Sequence, residues 1–226
     1  MEIRTPLILS TVLIAGMMAV SAWAWPLIPA TASIAVHFDL DGRANGWMSR
    51  DAALLVIPAL ATITTLAFAI MPHFTTRKAD LAASSAGYVT GWIGTMTVLF
   101  VAHCAVILKA RGWPVDIVGT ASIIAALLFI AIGNVLGKTR PNAYVGVRTP
   151  WTRRSDYSWD KSNRAAGRMM VVSGLATLAV LAVAGAKAAT IVLIGGIAVM
   201  AVVSVILSYI YWRRDPARRS GTGDAQ

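Results

Sequence analysis

The chain has 226 residues, 57% of them hydrophobic and 13% charged. That charged share is about half the usual one for globular proteins, and it excludes a soluble domain, whose core has no room for so much apolar surface. The formal net charge of +10 does not point to nucleic acid: no binding module accompanies it, and a basic balance in an apolar chain places cationic loops against anionic lipid. A single cysteine, Cys104, lies in an apolar run and excludes an intrachain disulfide.

Six uncharged runs reach the roughly 20 residues needed to cross hydrocarbon. They are 7–28, 52–72, 87–108, 117–136, 169–186 and 188–212, and they predict an all-α membrane protein of six transmembrane helices. The first run follows Arg4 and contains Ser21-Ala22-Trp23-Ala24, a small-residue stretch. It nevertheless exceeds the about 7–15 apolar residues of a secretory signal and reads as a retained span. Pro58 should bend the second helix, because proline lacks the N–H that the helical ladder uses. Gly87 with Gly91, and Gly133 with Gly137, stand four apart and predict close helix contacts. Lys187 alone separates the last two runs, which predicts a tight antiparallel hairpin.

Of the 20 Lys and Arg residues, fifteen, Arg77 among them, fall on one side of a six-helix layout. The positive-inside rule then puts both termini in the cytoplasm, an N-in/C-in arrangement. The chain divides into a helix pair with an outer loop (1–72), a third helix with its flanks (73–114), a region holding a basic cytoplasmic loop at 137–168 (115–212), and a disordered tail (213–226).

The outer loop alternates Val36, Phe38 and Leu40 with His37, Asp39 and Asp41, a period of two that predicts a short strand. Asp41-Gly42 and Asn45-Gly46 favour turns, returning the chain toward the second helix. Trp47 belongs at the membrane interface. His37, Asp39 and Asp41 have metal-ligating chemistry, but no second cluster completes a shell. They read with Gly42 and Trp47 as a partner-contacting surface, and no metal or cofactor is expected.

The basic loop is dense in Pro, Gly, Trp and Arg, which predicts a compact fold rather than a linker. Pro141 and Pro150 fix φ, and Gly137 and Gly146 admit conformations closed to other residues. Trp151 and Trp159 are placed at the headgroup level, and Arg148, Arg153 and Arg154 against lipid or a cytoplasmic partner. Ser155 should cap a helix beginning at Asp156. The spans hold one ionisable ring, His103, and no acidic residue in any apolar core, so neither catalysis nor cation-coupled transport finds its usual groups.

The run Gly133, Asn134, Gly137, Lys138, then Arg140-Pro141-Asn142, then Gly146 with Arg148-Thr149-Pro150-Trp151-Thr152, and finally Trp159 closely resembles the signature region of the SdpI family (SdpI/YfhL-like bacterial membrane immunity proteins). The stretch 36–47, Val-His-Phe-Asp-x-x-Gly-x-Ala-x-x-Trp, resembles the region of unassigned function that often precedes it. Where the family usually shows Trp-x-x-Thr-His, this chain has Trp159-Asp-Lys-Ser162-Asn163, so a role resting on that histidine does not carry over. The resemblance implies a multi-pass protein of the bacterial cytoplasmic membrane that gives immunity to a membrane-active peptide toxin met at the outer face. It also implies signalling to a cytoplasmic regulator through the basic loop. A small-solute transporter or permease is the alternative reading, carried by the expected six spans, Pro58 and the paired glycines.

Overall fold

The computed structural model describes residues 2–74 and 78–219. In chain order its helices are α1 (Arg4–Ala24), α2 (Arg50–Ile70), the short α3 (Lys78–Ala83), α4 (Ser85–Ala110), α5 (Ile117–Leu136), α6 (Asp156–Arg213) and the four-residue α7 (Pro216–Arg219). Between α1 and α2 lie two strands, β1 (Ser33–Phe38) and β2 (Ala44–Ser49), paired antiparallel. Among the described residues five helices are long and apolar enough to cross a membrane, the last covering Asp156–Arg218.

The last two of the six expected helices lie in a single stretch of 58 residues, Asp156–Arg213. Straight, it would extend about 87 Å, roughly three times the hydrocarbon thickness. Gly185, at φ 83° and ψ 177°, breaks it in a conformation that side chains rarely adopt. The two arms fold back on each other: the Ser158 hydroxyl donates to the Ser208 carbonyl at 2.8 Å. The break falls two residues before Lys187, where the sequence placed it. Ser155 caps α6 as expected, its hydroxyl accepting from the Ser158 N–H at 3.0 Å.

The tail, expected to be disordered from residue 213, is built into the fold at its start. Buried Asp215 accepts from the Ser155 hydroxyl at 2.5 Å and from the Ala217 N–H at 3.0 Å, and α7 follows. Arg77 and the tail beyond Arg219 lie outside the described residues.

Helix packing follows the small residues in one of the two predicted places. A Cβ on Gly133 would stand 2.6 Å from the Gly167 carbonyl, and one on Gly174 would stand 2.7 Å from that of Ala126. There α5 and the first arm of α6 cross with their backbones in contact, as expected where lipid gives no hydrophobic gain to helix association. The Gly87/Gly91 pair is a correction: Gly87 faces Val145 and Thr139 of the basic loop, and Gly91 has nothing within 4 Å of its Cβ position. Between α1, α2 and α4 the core is aromatic. Phe68 stacks on Trp92 at 5.5 Å, Tyr88 meets Phe68 edge-on, and the Trp92 indole donates to Ser10 at 2.9 Å.

Pro58 leaves the Leu54 carbonyl, four residues back, without its helical donor. The Ser21 hydroxyl of α1 supplies one at 2.6 Å. Having spent its only hydrogen there, Ser21 accepts from His103 Nε2 at 3.0 Å, which fixes the tautomer of that ring. A sequence-local defect in α2 is therefore repaired by α1 and α4 together. Ser21→Ala should lower stability by about 1–3 kcal/mol, since it strands a carbonyl and a ring N–H in a buried site. Thermal unfolding in detergent checks this, and an unchanged midpoint would mean that Leu54 is satisfied in another way.

Candidate functional site

The basic loop is held by the polar residues of its own motif. Asn142, buried, accepts from the N–H groups of Tyr144 and Val145, both at 2.8 Å, and donates to the Arg140 carbonyl at 2.7 Å. Thr152 and Thr149 exchange bonds: the Thr149 N–H donates to the Thr152 hydroxyl at 2.9 Å, and that hydroxyl donates to the Val147 carbonyl at 2.8 Å. Gly146, at φ 128°, admits no Cβ, because Asn163 and Trp159 stand 2.8 Å from that position. Gly137 lies under Arg164, whose Cα is 3.2 Å from its Cβ position.

Other bonds tie the loop to the helices. The Ser84 hydroxyl, just before α4, accepts from the Arg140 N–H at 2.9 Å. Tyr144 donates to the Met71 carbonyl beyond α2 at 2.9 Å, and Thr149 donates to Ser208 of the second α6 arm at 2.9 Å. Asn163 accepts from the Val147 N–H at 2.7 Å. Its amide donates to the Trp159 carbonyl at 2.9 Å. Ser84, Tyr144, Asn163, Ser208 and Asp215 are functional to the loop, yet no spacing rule links them, since most lie far along the chain from what they hold.

Two sequence assignments are corrected. Trp159 is not at the headgroup level: it is 1% exposed and donates its indole N–H to the Thr139 carbonyl at 3.0 Å. Asn134 is exposed on α5 and lies away from the loop's bond network. The cations behave otherwise. Lys138, Arg140, Arg148, Arg153, Arg154, Lys161, Arg164 and Arg168 are all exposed, and Trp151 packs half-buried on Tyr209 with ring centres 5.2 Å apart. Pro150 is exposed beside it.

At the opposite end, the strand expected from alternation ends at Phe38, and bulges around His37 interrupt its register. His37, Asp39 and Asp41 do not converge. His37 Nδ1 pairs with Asn45 at 2.5 Å. The Asp39 carboxylate accepts from the N–H groups of Asp41 and Arg43, both at 2.9 Å, and thereby shapes the turn in which Gly42 takes φ 74°. Asp41 forms an ion pair with Lys187 at 2.8 Å. That lysine's hydrogen bond, and then its charge, hold the Asp41 carboxyl below the usual carboxylate range. Trp47 is 57% exposed. Below the hairpin lies an apolar cleft of about 330 Å³ between Val36–Leu40 and the near ends of α5 and the second α6 arm. The two ends thus offer anion-pairing cations and an apolar cleft under an exposed hairpin, arrangements suited to binding.

Residues 138–208 match the model of the SdpI/YfhL protein family. The chain carries an SdpI-family domain. Residues 12–62 match a domain of unknown function, DUF1648, which covers α1 from residue 12, the hairpin, and α2 as far as residue 62. The immunity protein SdpI of Bacillus subtilis (strain 168) is 24% identical over 167 residues, spanning 74% of this chain and 78% of that protein. No solved structure matches. Together with the long apolar helices, this similarity makes the chain a multi-pass protein of the bacterial cytoplasmic membrane. The SdpI-family match begins in the basic loop and ends at Ser208, the residue on which that loop is anchored.

Asn142→Ala should leave the Tyr144 and Val145 amides unpaired in the packed loop, costing about 1–3 kcal/mol for each amide stranded. Exposed Arg153→Gln should stay within about 0.5 kcal/mol of wild type. Thermal unfolding of the two variants in detergent checks the contrast, and equal midpoints would contradict it.

Proposed function

We propose that this chain is a non-enzymatic immunity protein that protects its cell from a membrane-active peptide toxin. The observation that carries the reading is the similarity to a curated immunity protein over 74% of the chain, with family-model matches over both the hairpin and the basic loop. In this reading the chain crosses the membrane six times, the two arms of α6 counting as two, with both termini inside. The excess of Lys and Arg on the basic-loop side supports that orientation.

The hairpin then faces outward, and His37, Asp39, Asp41, Gly42 and Trp47 form the toxin-contacting surface. The basic loop faces inward, and Arg148, Trp151, Arg153 and Arg154 meet anionic lipid or a cytoplasmic regulator. A route between the faces is available. Asp41 grips Lys187 at the turn of α6, while the far ends of the same two arms are joined by Ser158 and hold the loop at Thr149 through Ser208, with Asp215 just beyond them bonded to Ser155. A toxin that alters the hairpin's seat shifts a helix pair on which the loop is built. Coupling of this kind requires that the toxin bind the two seatings with different affinity.

Expression of the chain in a sensitive host should raise survival against at least one secreted membrane-active peptide. Asp41→Lys should reduce that protection, and the swap Asp41→Lys with Lys187→Asp should restore much of it. Unchanged sensitivity across a broad peptide panel would overturn the reading. A reporter fused after Arg154 should behave as cytoplasmic, and a periplasmic signal there would invert both faces.

A further inference from the structure

A second cleft, of about 470 Å³, lies at the basic-loop end between α2 and α4 on one side and α5 and α6 on the other. Phe68, Gly91, Thr95, Ile132, Met170 and Met200 line it. Gly91 opens it, since nothing stands within 4 Å of its Cβ position. The segment 144–147 closes its end, strapped to the α2 side by the bond from Tyr144 to the Met71 carbonyl and to α6 by the bond from the Val147 N–H to Asn163.

The three hydroxyls in its lining all donate within the protein: Tyr88 to the Phe68 carbonyl at 2.5 Å, Thr95 to that of Gly91 at 2.8 Å, and Tyr144 to that of Met71. None has a hydrogen left to donate to a ligand, and the rest of the side-chain lining is apolar, so the cleft suits hydrocarbon. Its margin is different. Exposed Arg140 stands on the α4 side, its backbone bonded to Ser84, and exposed Arg148 stands on the α6 side, next in the chain to Val147.

We propose that this cleft is a binding site for an anionic phospholipid, with one acyl chain between α4 and α6 and the headgroup phosphate held by Arg140 and Arg148. Basic margins on apolar inter-helix clefts recognise anionic headgroups in this way. A lipid seated there touches the strap 144–147 directly, so lipid composition bears on how firmly the basic loop is held. The site is separate from the hairpin and independent of any toxin.

The test is native mass spectrometry of the full chain released from nanodiscs of equal phosphatidylglycerol and phosphatidylcholine. Wild type should retain phosphatidylglycerol with about tenfold preference. Gly91→Leu and Thr95→Leu fill the cleft from adjacent turns of α4, and each should cut total retained lipid about tenfold while the thermal midpoint stays near wild type. The double variant Arg140→Gln/Arg148→Gln should keep lipid but lose the preference. Retention at the wild-type level in whichever filling variant folds would overturn the proposal. So would equal retention of the two lipids by wild type, or capture of an apolar peptide in place of phospholipid.

Discussion

Hydrocarbon offers no partner to a backbone N–H or C=O, so a chain placed in a bilayer must satisfy these groups from within. Regular helices do this along most of this protein, and its distinctive features occur where they cannot. Pro58 removes one helical donor, and Ser21 of α1, backed by His103 of α4, replaces it at the orphaned Leu54 carbonyl. Between α5 and α6 the basic loop has only one short 3-10 turn, Thr152–Arg154. Its amides are met instead by side chains: Asn142 serves two of them, Asn163 a third and Thr152 a fourth.

That accounting explains why the motif residues fall into two classes. Asn142, Thr149 and Thr152, with Gly146 and Trp159, turn inward and build the loop, whereas Asn134 on α5 does not. The arginines and lysines turn outward and remain available. Substitution of the first class is expected to act through stability, and substitution of the second through binding. The loop also ends where α6 begins and is clamped by the far end of α6, which makes the helix pair and the loop one body. The hairpin touches the same pair at its turn through an exposed ion pair, Asp41 with Lys187. Such a pair is weak and sensitive to salt.

Much of this was legible in the sequence, for reasons that can be named. Uncharged runs locate the helices because hydrocarbon excludes charge, Ser155 announces the start of α6 because a cap is a local device, and Asp41-Gly42 announces the turn because few residues accept positive φ. What was not legible depends on partners distant in the chain. Gly87 and Gly91 have the spacing of a helix contact, yet Gly91 faces a cleft. Trp159 has the chemistry of an interfacial anchor, but Thr139 and Gly146 enclose it. Asp41 reads from the sequence as one of a row of polar groups on a partner-contacting surface, and nothing local announces Lys187, 146 residues away, at its carboxylate. The last two runs follow one another without a loop because Gly185 alone turns the chain between them.

The account stands or falls on the basic loop being a folded part of the bundle rather than a cationic linker. Hydrogen–deuterium exchange of the full chain in nanodiscs reads this most directly at the amides of Tyr144, Val145, Val147 and Thr149. Protection comparable to that of the amides within α5 is the predicted result. Exchange at the rate of an unstructured peptide at all four would contradict it.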